Sequence, residues 1–151
     1  MATLPILARV GAHAGALRVL SVVMGVFLIF MGLDKIDWLM DGTILTRRLQ
    51  QWHGTVRPLA RWYLDTIALP GAPVFARVVV LAELAAGAAL VLGVWVRLAA
   101  ALALMMVVNF HVASDDIFRY SYLMNAYGPP VLGGLLALAI GGGRLPFRVS
   151  R

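Results

Sequence analysis

Residues 74–113 read VFARVVVLAELAAGAALVLGVWVRLAAALALMMVVNFHVA, broken by formal charge only at Arg77, Glu83 and Arg97. A helix needs about 20 mainly apolar residues to cross ~30 Å of hydrocarbon. With a turn at Gly93-Val94-Trp95-Val96-Arg97 in its middle, this stretch reads as two spans, 74–93 and 94–113, folded as a tight hairpin. Working outward, two more runs of similar length lie at 15–33 and 121–140. The chain has 151 residues, of which 62% are hydrophobic and 13% charged, and a mean hydropathy of +0.88. A soluble domain of this size cannot hide so much apolar surface. The expected fold is all-α: one integral membrane domain over 1–151, a four-helix bundle with an amphipathic connection, 34–73, at the membrane interface.

Several function classes drop out on composition. There is no cysteine, which removes disulfide exchange, thiolate metal sites, iron–sulfur clusters and the membrane thiol oxidases. No His-x-x-x-His spacing and no Ser–His–Asp set is present, so no metal and no catalytic triad is assigned. Gly141-Gly142-Gly143 precedes a basic tail rather than a helix, unlike a phosphate loop. The net charge of +6 comes from arginines that flank spans as membrane anchors do, which argues against nucleic acid as a partner. A cleaved leader is not expected, because Asp34-Lys35-Ile36-Asp37 directly follows the first run. With four spans, Arg9, Arg18, Arg97, Arg144, Arg148 and Arg151 share one side. Lys35, Arg47, Arg48, Arg57, Arg61, Arg77 and Arg119 share the other. The count is near balance; the dense tail places both termini in the cytoplasm.

Within the first span, Arg18, Gly25 and Gly32 are at heptad spacing and share a face. Gly25, Gly32 and, in the second span, Gly87 are small enough to let helices approach closely. Arg18, near a helix end, is placed to snorkel toward headgroups. The connection mixes Trp38, Trp52, Arg57, Arg61 and Trp62, a composition suited to the interface. Leu45, Leu49 and Trp52 predict one short helix, and Leu59, Trp62 and Tyr63 a second, broken near Gly54 and Pro58. Leu69-Pro70-Gly71-Ala72-Pro73 reads as a stiff turn into the second span. Pro129 and Pro130 predict a kinked fourth span.

Glu83 is the residue with the most chemistry to offer. An ionised carboxylate at mid-span costs at least ~2.5 kcal/mol, so it must be paired, protonated or turned inward. It is a candidate proton relay or quinone partner, or equally a residue that fixes helix register. Asn109, His111, Asn125, Tyr127, Lys35 and Arg77 are its candidate partners. Arg77, Asn109, His111 and Asn125 are expected to cluster near the interface above Glu83, at the mouth of a pocket suited to a quinone head group. His111 as a haem or pigment ligand is disfavoured, since no second histidine stands at matching depth. Met105-Met106 reads as core filler.

The chain resembles the DoxX family of small four-helix bacterial membrane proteins. The resemblance rests on Gly32-Leu33-Asp34-Lys35 closing the first span, Glu83 followed by Gly87, Leu92-Gly93 with Arg97-Leu98-Ala99-Ala100, and Gly141-Gly142-Gly143-Arg144. The ending Leu145-Pro146-Phe147-Arg148 departs from the family's usual tail. The resemblance implies a membrane subunit linked to redox systems; one branch belongs to a thiosulfate:quinone oxidoreductase. Two roles follow. One is a non-catalytic accessory subunit packed among other membrane protein subunits of a respiratory or photosynthetic complex. The other is a quinone-interacting oxidoreductase component that uses Glu83 for proton transfer. A transporter would show inverted repeats, which are not found.

Overall fold

The computed structural model describes residues 4–143 and 145, and every regular element among them is helical. Helix α1 (Leu4–Asp34) is followed by a 3-10 turn (Ile36–Leu39) and α2 (Thr43–His53). Then come α3 (Pro58–Tyr63), a π-helical turn (Leu64–Ala68) and α4 (Leu69–Leu92), α5 (Val96–Ala113), two 3-10 turns (Asp116–Phe118 and Tyr120–Met124) and α6 (Pro129–Gly141). Three helical stretches are long and apolar enough to cross a membrane: His13–Asp34, Pro58–Leu92 and Val96–Ala113. Their outer faces carry Val19, Val23, Phe30, Val78, Leu81, Leu98, Leu102 and Met105, all exposed. Such a continuous apolar belt calls for lipid or another apolar surface against it.

The sequence reading needs two corrections. Leu69–Pro73 is not a turn: α3, the π turn and α4 form one unbroken helix of 35 residues, Pro58–Leu92. Pro70 lies in the first turn of α4, and Pro73 is accommodated inside it. Membrane helices tolerate internal proline; Pro73 has no N–H for the Leu69 carbonyl, while Arg77 Nη1 donates to the Pro73 carbonyl at 2.8 Å. A π turn and internal prolines are the features that bend helices. Here the first turns of the long helix come to lie against the C-terminal end of α5. The second correction concerns residues 121–140, which are not a kinked helix. The prolines start α6, with Gly128 as its N-cap, and the preceding residues form 3-10 turns and extended chain. Proline is well placed there, since a first-turn N–H has no intrahelical partner to lose. At 13 residues, α6 is about 20 Å long.

The break between α2 and α3 falls at Gly54 to Arg57, where Arg57 is extended and Pro58 opens the next helix. One core cluster gathers Trp38, Leu45, Leu49, Leu64 and Val80 at the end that carries the connection. The other gathers Leu28, Leu90, Ala100, Leu135 and Leu138 at the hairpin end. Gly93, with φ of 74°, caps α4 in the left-handed region that favours glycine. Trp95 adopts φ of 48° to open α5. The basic tail residues Arg144, Arg148 and Arg151 lie outside the described residues.

Candidate functional site

The α1–α4 contact is built on glycine. A Cβ on Gly25 would meet the Gly87 carbonyl oxygen at 2.7 Å, and a Cβ on Gly87 would meet the Gly25 carbonyl oxygen at 2.7 Å. The two backbones therefore touch, as small residues permit. Gly32 sits against the Leu84 side chain and the Glu83 Cβ. At the hairpin end, Ser21 Oγ donates to the Leu90 carbonyl at 2.7 Å. Arg18 donates to Leu90 and Val91 carbonyls at 3.0 and 2.7 Å. The final carbonyls of a helix lack intrahelical donors, so Arg18 is drawn onto the end of α4 rather than out to the headgroups.

At the other end of this contact lies Glu83, which is buried. Among its candidate partners the structure selects Lys35, whose Nζ donates to both carboxylate oxygens at 3.0 and 2.9 Å. Lys35 also donates to the Met31 carbonyl at 2.8 Å, and its Nζ stands 6.0 Å from the Trp38 ring centroid. The pair closes the α1–α4 seam where α1 ends. Glu83 is thus level with the end of a span rather than its midpoint.

The expected cluster of Arg77, Asn109, His111 and Asn125 does not form. Arg77 bonds back onto its own helix. His111 is buried, with Nδ1 3.0 Å from the Tyr122 hydroxyl. Asn125 Oδ1 accepts from the Tyr127 backbone N–H at 2.9 Å, and the Tyr127 ring lies 5.9 Å from that of Phe27. Asn109, on the opposite face of α5 from His111, accepts a hydrogen bond from the Tyr63 hydroxyl.

Asn109 and Tyr63 stand at one end of a groove of about 790 Å³ between α4 and α5. Its walls include Ala82, Ala85 and Ala86 on one side and Leu98, Leu102 and Met105 on the other, with Trp95 at the hairpin end. Glu83, His111, Asn125 and Tyr127 do not line it. The sequence marked Asn109 but took Tyr63 for an interfacial aromatic.

A second feature escaped the sequence reading. Asp115, just past α5 with φ of 60°, is buried although it follows a span. It accepts from Arg57 Nε at 3.0 Å and from Arg57 Nη2 at 3.1 Å, and Arg119 lies 3.8 Å away. The Arg57 hydrogen bonds hold the Asp115 carboxyl below its ordinary range. Of the interface residues, Trp38 is buried in the core while Trp62 and Arg61 are exposed and Trp52 packs edge-on to Phe110. Among the described residues no group of three or more His, Asp or Glu side chains is placed to hold a metal ion.

These features define a multi-pass α-helical membrane protein with an apolar groove between α4 and α5. A family model described as DoxX matches residues 16–114, from α1 to the end of α5. That is well over half of the chain, and the chain belongs to the DoxX family. No curated protein and no solved structure matches it.

Proposed function

We propose that this protein is a non-catalytic accessory subunit of a larger redox or bioenergetic membrane assembly. It would sit in the bacterial inner membrane with both termini cytoplasmic. The observation that carries this reading is the Lys35–Glu83 pair: the acid with most claim to proton chemistry is engaged by a lysine and kept outside the groove. Its geometry suits a residue that fixes how α1 and α4 meet. In this reading α6 and the 3-10 turns before it together make a fourth crossing that completes the bundle. The connection through α2 lies at the interface, where exposed Met40, Leu59 and Trp62 meet headgroups and neighbouring subunits. The alternative, a quinone-linked oxidoreductase component using Glu83 for proton transfer, is supported by the groove but requires Glu83 to leave its partner.

Gentle detergent extraction, native-gel separation and mass spectrometry of the band test the proposal. Co-migration with redox subunits is expected, and Glu83→Gln should leave their turnover unchanged wherever the assembly forms. Migration of the chain alone, at its own mass, would overturn the subunit reading. Loss of turnover in an intact Glu83→Gln assembly would favour the alternative.

A further inference from the structure

We propose that the cavity at the hairpin end, where the start of α5 meets the end of α6, binds the phosphate of an anionic phospholipid through Arg97. The inference stands on this end of the molecule alone, and holds whether or not the chain works within an assembly.

The cavity measures about 420 Å³, and its walls include Trp95, Arg97, Leu98, Gly142 and Gly143. Arg97 is the only ionisable side chain among the described residues that line it. Its Nε donates to the Ala139 carbonyl at 3.0 Å, which ties the side chain to the end of α6. A Cβ on Gly143 would lie 3.4 Å from Arg97 Cδ, so the stem runs close along the glycine turn. Nη1 and Nη2 meet no acceptor among the described residues. They are the paired donors with which a guanidinium grips two oxygens of a phosphate.

Charge selects the occupant. The chain has seven acids, and none belongs to this end. Asp34, Asp37, Asp41 and Asp65 lie in the connection or at its edge, and Asp115 and Asp116 follow α5. Glu83 is held by Lys35 and precedes Gly93 by ten residues, about 15 Å of helix. Arg18, the neighbouring cation, is engaged by the Leu90 and Val91 carbonyls. The sequence beyond Gly143 adds Arg144, Arg148 and Arg151 and no acid. Fixed positive charge without an acid to balance it draws an anion from outside.

Position selects the source. A turn joining two adjacent spans lies at a membrane surface, the level of lipid phosphates, and basic pockets between spans suit anionic head groups. Trp95, on the cavity wall, is 78% exposed, as tryptophans at the membrane interface are. From Leu98 the wall continues onto exposed Leu102 and Met105, one apolar stripe along α5. Acyl chains hanging from a phosphate at Arg97 have that stripe to lie on.

The purified protein, in a nonionic detergent, is titrated with phosphatidylglycerol, with phosphatidylcholine of the same chains, and with inorganic phosphate. Native mass spectrometry counts bound lipid, and calorimetry reads phosphate. A saturable phosphatidylglycerol site is expected, filled less tightly by phosphatidylcholine. Arg97→Gln should weaken it about ten- to a hundredfold, the worth of a hydrogen bond to a charged group. Arg77→Gln removes the same charge from an exposed position near the start of α4 and should leave the site unchanged. Gly143→Leu is an independent variant: Gly143 is exposed and not left-handed, so a side chain there occupies the cavity while Arg97 remains. It should weaken binding as well, and it decides the matter if Arg97→Gln does not fold. Thermal melts confirm that each variant is folded. Saturation by inorganic phosphate without phosphatidylglycerol binding, or equal binding of the two lipids, overturns the lipid assignment. Absence of saturable binding, or equal losses in folded Arg97→Gln and Arg77→Gln, overturns the site itself.

Discussion

Replacing Lys35 by methionine isolates what the Lys35–Glu83 pair does for the fold. Both Glu83 oxygens receive their hydrogen bonds from Lys35, and the side chains are only 8% and 7% exposed. Lys35→Met leaves a buried carboxylate with no donor, and breaking a buried pair from one side costs about 3–5 kcal/mol. Glu83→Gln is milder, about 1.5–3 kcal/mol, the worth of a hydrogen bond to a charged group. There Lys35 keeps the Met31 carbonyl, and its stem lies at a helix end where it can reach toward the interface. The double variant Lys35→Met with Glu83→Leu removes both charges together and is expected within about 1 kcal/mol of the parent, or above it. Unfolding in mixed micelles by a denaturing detergent, followed by tryptophan fluorescence, compares the parent, both single variants and the double variant. Trp38 is buried beside Lys35 and gives the signal. If Lys35→Met costs less than the glutamine variant, or if the two single losses simply add in the double variant, the pair is not the lock described.

Two further predictions test the seam and the connection. Gly87→Ala should destabilise by about 1–3 kcal/mol, the range for overpacking, because the new methyl meets the Gly25 carbonyl; Gly133→Ala, with open space around it, should be neutral or slightly stabilising. Thermal melts of the two decide, and equal effects would remove the backbone-contact argument. The Asp115–Arg57 latch should be acid-sensitive in a defined sense. Since Asp115 is held below its ordinary value by Arg57, its contribution is present above about pH 3.9 and is lost as pH falls through the lower folded value. Hydrogen exchange over residues 57–63 should quicken only below about pH 4, and Arg57→Met should move that onset upward. Exchange that ignores both acid and the substitution would show that the latch holds nothing.

The apolar runs made the spanning helices legible, because length and hydropathy are properties of the chain itself. Partnerships were less so. Lys35 was one of several candidates for Glu83; placing the second span at 74–93 put Glu83 at mid-membrane and hid that it lies level with the end of α1. The error at Leu69–Pro73 has the same root. Proline usually marks a turn, yet here Pro70 falls in the first turn of α4 and the helix runs on through Pro73. Tyr63 could not be matched to Asn109 without knowing that α3 lies against α5. Asp115 was not legible because nothing local distinguishes a buried aspartate from a solvated one.

The brevity of α6 has a consequence for the lipids around it. Its 13 residues give an apolar wall about 20 Å high, where the bilayer offers ~30 Å of hydrocarbon. Acyl chains meeting this flank must shorten, tilt or leave, and each ångström of mismatch costs a fraction of a kcal/mol. The neighbouring flank, formed by α1, imposes no such deformation, with a 22-residue apolar stretch. The molecule is expected to pinch the membrane on one side only, and that strain is relieved when another protein covers the pinched edge.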